Sequence, residues 1–321
     1  MSKIYKLSLK QKSGLLSELQ SDTIFGHFCW RLKDKYGEET LKNFLHKYSV
    51  SKPVFTISNG MLEKNGVTYF NKPKMQTPFK YEVKTKKDRI KDSLLYKELR
   101  SRDYITLEQL NLFLNNKVED YNKSFESPAD IPKMFSEVRV NIQIDRQTSG
   151  SAEGKLFNLN PSYSQDQSTI AVFVKEIDDK EFENYKVIEI LKSVFEIGYG
   201  KKKSSGFGEF EVGPINEINN IKEPANSNGF ISFSNYLPSN DDKIANAFYD
   251  INVKYGKFGE EHANINNPFK KPIVFLTAGS CFVTDIKQDY YGRCTDESEI
   301  SDYFPKAIQN GVAFSLNFKL V

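Results

Sequence analysis

The stretch that most restricts what this chain can become is residues 198–210, GYGKKKSSGFGEF, which packs four glycines, three consecutive lysines and two serines into one short connection. Glycine reaches positive φ without a Cβ penalty and lets another molecule approach the main chain, so successive amides can turn outward toward an anion. Lys201, Lys202 and Lys203 add charge, and Ser204 and Ser205 add hydroxyl donors. Upstream, Ile188, Leu191, Val194 and Phe195 recur at helical spacing over 185–196, and Gly198 falls where a helix C-cap belongs. Residues 209–212 read as a short strand. The order is therefore helix, glycine loop, strand, the reverse of a Walker or dinucleotide-binding turn, and no GxxxxGK[ST] string is present. Taken alone, the pattern suits a phosphate-binding element and a solvated basic turn equally.

Composition narrows the field. A chain of 321 residues has room for two domains, and 39% hydrophobic with 27% charged residues describes a soluble globular protein. The net charge of +3 is too small to declare a nucleic-acid binder, so a basic surface must come from local clustering. Seventeen Tyr and 25 Phe supply flat side chains for a core, with some to spare for stacking on unpaired bases. Cys29, Cys281 and Cys294 are odd in number and form no CxxC, which argues against a zinc site or a disulfide framework and for a reducing, cytoplasmic setting. No secretory h-region and no long apolar run is found, so neither export nor a membrane partner is expected.

Residues 4–9 alternate in the manner of a half-buried strand, and Ser21 or Asp22 then caps a helix with Ile24, Phe25, Phe28, Cys29 and Leu32 on its apolar side. A second helix over 38–48 and a strand over 53–57 follow. From 71 to 135 the core periodicity weakens, lysines and arginines alternate with acids and aromatics, and a helix over 106–114 is the one clear element; the segment reads as an insertion. Val138, Val140, Ile142 and Ile144 then mark one face of a strand, and 169–175 is another strand leading to the helix before the glycine loop. Without the insertion the order is βαββαβ, a ferredoxin-like (RRM-like) α+β domain ending near 221. After a linker over 224–229, residues 222–321 repeat the theme in degenerate form, with a helix over 241–255, a strand pair over 272–282 around Gly279-Ser280 and a closing strand over 312–320.

With this layout, four strings resemble the RAMP superfamily of CRISPR-associated RNA-binding proteins: SDTIFGHFCW at 21–30, NIQIDRQT at 141–148, the glycine loop, and TAGSCF at 277–282 with NGVAF at 310–314. Their order is most similar to the family of fourth subunits of type III-A Csm effector complexes, over most of the chain. The resemblance implies two ferredoxin-like domains and a noncatalytic subunit that caps the repeat-derived 5′ tag of the guide RNA. It also implies a thumb-like insertion, and a position between the large polymerase subunit and the backbone subunit, with target RNA met only indirectly. The RNA-binding residues it implies are Lys201, Lys202, Lys203, Ser204, Ser205, Gly206, Phe207 and Gly208, with His27, Arg31, Asn141, Arg146, Lys86 and Lys87. No metal and no cofactor is implied. The KKK run departs from relatives that often carry glycine or arginine there.

Each candidate has a plainer reading. His27 stands in a polar row with Thr23 and Arg31 at i, i+4 and i+8; it suits a structural hydrogen bond, an RNA contact, or acid–base chemistry on a 2′-OH, although no partner group is identifiable, His46 and His262 lying elsewhere. Asp145 and Arg146 suit a loop-fixing pair or a phosphate contact. Asp22 reads as an N-cap, and the pairs Asp178-Asp179 and Asp241-Asp242 each precede an expected helix, where acids favour the dipole. Lysines and arginines over 80–102 suit a solvated face or, with Phe79, Tyr81, Tyr96 and Tyr104 interleaved, RNA proximity. The competing functions are a metal-independent endoribonuclease that processes the precursor guide through His27, and the equivalent capping subunit of a type III-B complex.

Overall fold

Alternation in the first strand sets the architecture: Leu7 and Leu9 of β1 (Ile4–Gln11) are fully buried on one face, while Lys6 and Ser8 take the other. A computed structural model describes residues 2–78, 85–126, 130–165, 168–259, 267–296, 298–303 and 307–320, the side chains of 152 and 153 excepted. Phe79, Lys80, Tyr81 and His262 lie outside the described residues.

After β1 come α1 (Ser21–Tyr36), α2 (Glu38–Ser49), β2 (Phe55–Ile57), β3 (Met61–Lys64) and β4 (Val67–Asn71). Next are α3 (Lys86–Ser101), β5 (Tyr104–Thr106), α4 (Leu107–Leu114) and α5 (Val118–Lys123). Four strands follow, β6 (Met134–Ser136), β7 (Arg139–Ile144), β8 (Ser151–Leu159) and β9 (Ser162–Ser164). The long β10 (Ser168–Glu176), α6 (Asp179–Asn184), α7 (Val187–Ile197) and β11 (Phe210–Glu217) complete this half. The rest contains β12 (Gly229–Ser232), β13 (Asn246–Phe248), β14 (Ile251–Lys254), β15 (Ile273–Leu276), β16 (Cys281–Val283) and β17 (Ser315–Phe318).

The main sheet has the order β11-β1-β10-β3-β4-β5, with β2 beside β3 along the same edge of β10, and every pairing is antiparallel. One face carries the helices. Leu7, Leu9, Val172 and Val174 meet Ile24, Phe28 and Leu32 of α1 and Leu191 and Phe195 of α7, residues whose helical spacing predicts these contacts; Ile190 joins them outside the expected stripe, and Ile188 within it is only partly buried. Phe25, Phe28, Phe44, Tyr48 and Phe55 join them as tilted and edge-on aromatic pairs 4.8–6.4 Å apart.

The other face is covered as well. Ala171, Phe173 and Phe70 form one core with Ile231, Phe233, Phe314, Leu316 and Phe318 of the C-terminal half and with Leu110, Phe113 and Leu114 of α4. Leu99, Ile105, Tyr121 and Phe125 belong to it too, so the reading of 71–135 as weak in core periodicity fails for its second half. Helix α4 is the one expected over 106–114, whereas α5, six residues long, is too short for its periodicity to stand out; each buried Leu or Phe contributes about 1.5–3 kcal/mol.

Four further expectations need correction. Residues 241–255 form no helix: the Ser239 capping box starts only a 3-10 turn, Lys243 ends it at φ +47°, and alternating exposure from Ile251 to Tyr255 makes a strand. Strand β7 is not half-buried, because it pairs only with β8 and leaves Val140, Ile142 and Ile144 exposed. Strands β15 and β16 pair not with each other but with β14 and with β12 and β13, respectively. The closing strand expected over 312–320 is shorter, Ser315–Phe318, and buried on both faces. The C-terminal strands form a four-stranded antiparallel sheet, β13-β16-β12-β17, and a separate ribbon, β14-β15; no α-helix of the described residues follows Ile197.

Candidate nucleic-acid interface

Amphipathic α7 delivers the chain to Gly198, whose φ of +123° ends the helix while its amide still bonds Val194 O. Beyond it the stem of the glycine loop is clamped to residues 13–20. Tyr199 is fully buried; its hydroxyl donates to Glu18 O (2.7 Å) and accepts from Gln20 N (3.2 Å), and its amide donates to Gly208 O (2.8 Å). The Gly208 amide in turn donates to Gly14 O (2.9 Å), and the Lys201 and Glu209 amides donate to Ser17 Oγ and Ser13 Oγ (3.0 Å each). Gly208 is buried with φ +72°, and a Cβ there would stand 1.9 Å from Tyr199 O, so only glycine fits.

The tip is built differently. Lys202 (φ +56°) and Gly206 (φ +81°) bracket a 3-10 turn, Lys203–Ser205, that raises the loop off the protein. Lys201, Lys202, Ser204, Ser205 and Gly206 are exposed, Lys203 and Phe207 half-buried, and a Cβ on Gly206 would meet nothing within 4 Å. A rigid stem thus presents a tip of ammonium groups, hydroxyls and main chain, which is the equipment for holding phosphates.

His27 faces the stem from α1. Its Nε2 accepts from the Gly200 amide (3.0 Å) and its ring packs 5.0 Å from Tyr199, so one of its two ring nitrogens is committed to holding the loop. Arg31 turns away: its guanidinium donates to Ser193 Oγ (3.1 Å) and lies 3.8 Å from Asp34, tying α1 to α7.

Beside the loop projects the β7–β8 hairpin. Lys202 Nζ lies 5.2 Å from the Phe157 ring centroid of β8, a cation–π contact that joins the two elements. The hairpin's base is held by the same segment that holds the loop. The Gln11 side chain donates to Ser162 O and accepts from Ser164 N (2.7 Å each), and Leu15 bridges Ser162. Asn141 is on β7 with its side-chain amide donating to Arg139 O (2.9 Å); Arg146 is exposed in the hairpin turn, which Asp145 fixes by accepting from Gln147 N (2.8 Å). The structure therefore gathers Lys201, Lys202, Lys203, Ser204, Ser205, Gly206, Phe207, Gly208 and His27 at one place, with the hairpin that carries Asn141 and Arg146 adjoining it. Lys86 and Lys87 are not brought there: they are exposed in the first turn of α3, which leads to β5, the edge of the sheet opposite β11.

Sequence reasoning missed Ser13, Ser17 and Glu18 as the clamp and Phe157 as the loop's neighbour. Ser13-Gly14 is a legible turn signal; nothing local announces that it pairs across nearly 200 residues. Asp22 is no N-cap, since Gln20 holds that position; its buried carboxylate accepts from Asn235 Nδ2 (2.8 Å), Lys254 Nζ (2.6 Å) and the Gln309 side chain. Asp178 is the N-cap of α6, as its position predicts, while Asp242 is buried and accepts from the Tyr236 hydroxyl and the Ser239 and Gly292 amides. Among the described residues there is no group of three or more His, Cys, Asp or Glu placed to hold a metal, and no helix long and apolar enough to cross a membrane.

The RAMP superfamily model matches residues 8–211, and the chain belongs to that superfamily. No curated protein matches it. Among solved structures it is similar to a chain of the Csm3-Csm4 subcomplex of the type III-A CRISPR-Cas interference complex, at 16% identity over 99% of this chain and 100% of that one, with a TM-score of 0.61. Chains of the Csm1-Csm4 cassette in complex with pppApA and with cA4 match at 16% identity over 99% of both chains, with TM-scores of 0.59. Csm4 is the component these assemblies share, so the fold seen here is that of the Csm4 chains.

Proposed function

We propose that this chain is the noncatalytic guide-RNA-binding subunit of a cytoplasmic type III CRISPR effector of the Csm kind. It holds the repeat-derived 5′ tag and bridges the large polymerase subunit to the backbone subunits. The observation that carries this reading is the glycine loop: a stem locked by main-chain bonds, and an exposed basic tip leaning on an exposed hairpin. In the main sheet, β11-β1-β10-β3 is the fourth-first-third-second order of a βαββαβ unit, which supports the ferredoxin-like reading of 1–221; 222–321 is then a degenerate second unit whose helices are gone. Phe70 and Phe173, on the face that RRM-like sheets offer to bases, are 1% and 2% exposed, so RNA contact falls to the loop and hairpin. The hairpin, and not 71–135, is then the thumb-like element.

The occupied Nε2 of His27 disfavours the endoribonuclease alternative. To test the reading, Lys201, Lys202 and Lys203 are replaced by alanine and binding of the guide RNA is followed against salt. Each phosphate that the loop no longer neutralises lowers the log–log slope by about 0.7 for a single strand. An unchanged slope with unchanged affinity overturns it.

A further inference from the structure

A second apolar ribbon lies outside the RNA-facing region. In β14 the side chains alternate, so that Ile251, Val253 and Tyr255 face outward, 59%, 41% and 78% exposed, while Asn252 and Lys254 face inward. On β15 Val253 pairs with Val274, also exposed, whereas Phe275 and Ile273 on the inner face are buried. Phe269, 66% exposed and bridged to Lys257, extends the outward face along the same arm. Contiguous apolar surface of this kind marks an interface.

The chemistry of the ribbon selects its occupant. Lys254 is turned inward onto Gln20 Oε1, Asp22 Oδ2 and Thr23 Oγ1 (2.6–2.8 Å), Lys270 onto Gln309 Oε1 (2.6 Å), and Lys271 is engaged by Asp302. Among the described residues the outward face is left with β-branched and aromatic side chains and one cation, Lys257, at its end. Such a face has little to offer phosphates, and it is complementary to an apolar, weakly charged protein surface. The β7–β8 hairpin differs: it bears Arg139, Arg146 and Lys155 and touches the basic loop.

We propose that the outward face of β14–β15 is the surface this chain buries against the large polymerase subunit, leaving the hairpin side for RNA and the backbone subunit. This rests on the subunit reading above and adds which face serves which partner. The inner face gives the contact a consequence: through Lys254 the ribbon is bonded to the residues that open α1 and border the Tyr199 clamp, so docking there steadies the RNA-holding loop.

The test uses the full chain with the Csm1-type and Csm3-type proteins of its own source, mixed pairwise and followed by size exclusion with light scattering. Val253→Asp combined with Val274→Asp changes only exposed positions, and circular dichroism checks that the fold is kept. The double variant is expected to lose the Csm1-type partner, with affinity falling about thirtyfold or more as for a central interface position. It keeps the Csm3-type partner and the guide RNA. Retention of the Csm1-type partner overturns the proposal. A wild-type chain that self-associates and a variant that is monomeric overturn it in favour of a second copy. A wild-type chain that binds neither protein removes the subunit reading itself, a result distinct from failure of the ribbon alone.

Discussion

Gly206 and Gly208 are two residues apart, both have positive φ, and they are expected to respond unequally to the same methyl group. At Gly206 an added Cβ meets no protein atom, so Gly206→Ala carries only the left-handed backbone penalty of about 1–2 kcal/mol. At Gly208 the methyl overlaps Tyr199 O at 1.9 Å and lies 2.9 Å from its carbonyl carbon, main-chain atoms that cannot swing aside. Relief requires moving the strands of the stem, which weakens the Gly208 N to Gly14 O and Tyr199 N to Gly208 O bonds. Adding about 1–3 kcal/mol for overpacking and about 1 for each broken bond gives about 4 kcal/mol or more for Gly208→Ala. Urea unfolding separates the two. RNA binding then separates stem from tip: Gly206→Ala, still folded, is expected to lose about tenfold in guide affinity or more because its methyl occupies the space a phosphate would approach. Equal destabilisation by both changes would refute the distinction between stem and tip, and a Gly206→Ala chain binding RNA like wild type would refute close approach at that position.

Asp22→Ala leaves Lys254, Asn235 and Gln309 without their shared buried acceptor, and is expected to lower stability by about 3–5 kcal/mol; urea midpoints showing less than about 1 kcal/mol would contradict the hub. Burial raises the thiols of Cys29, Cys281 and Cys294, the latter two to about 12. The folded chain therefore keeps protons that the unfolded chain releases near pH 9, and stability present below that pH is lost as pH rises, by about 1.4 kcal/mol per proton per pH unit. Lys270, lowered to about 8 by burial, and Lys72 and Lys175, also lowered by burial, act oppositely below about pH 10.5, where the unfolded chain holds the extra protons, whereas Tyr121, Tyr199 and Tyr236, raised by burial, act with the thiols, so the net fall in melting temperature is expected above about pH 10. Lys270→Met removes the largest opposing contribution and steepens that fall; a rise with pH above about 10 in the wild-type chain would contradict the balance. His27→Ala deletes the acceptor for the Gly200 amide, so guide affinity is expected to drop several-fold while target cleavage per bound guide in a reconstituted complex stays unchanged; a cleavage defect at full guide occupancy would restore His27 as a catalytic residue.

How much of this was legible depended on whether a residue's partners are local. The amphipathic stripes of α1 and α7, the Gly198 cap and the alternation of β1 state their buried faces within ten residues, and those faces are turned to the core, Cys29 and Ile188 at its partly buried margin. The basic character of the glycine loop was legible for the same reason, since its three lysines are consecutive and its glycines flank them. What lay hidden was long-range. The 241–255 stretch contains both a helical stripe and a strand alternation, and only pairing with β15 and β16 decides between them. Apolar residues on β7 look like a buried face because the sequence records hydrophobicity, not whether a second layer covers it.

That last ambiguity bears on function. In this fold the sheet surface that resembles an RNA platform is sealed by Phe314, Leu316 and Phe318, and the two ribbons that look like core strands remain open. A chain built to bind RNA on its sheet would leave Phe70 and Phe173 accessible and cover β7 and β14; here the reverse holds. Sealing the sheet fixes the two halves as one support, which is what allows a loop anchored at residues 13–20 and a hairpin anchored at residues 11–15 to keep a constant relation to each other. On the proposed reading the apolar ribbons serve contacts made after folding, with RNA on the side where cations accompany them and with protein on the side where lysines are turned inward.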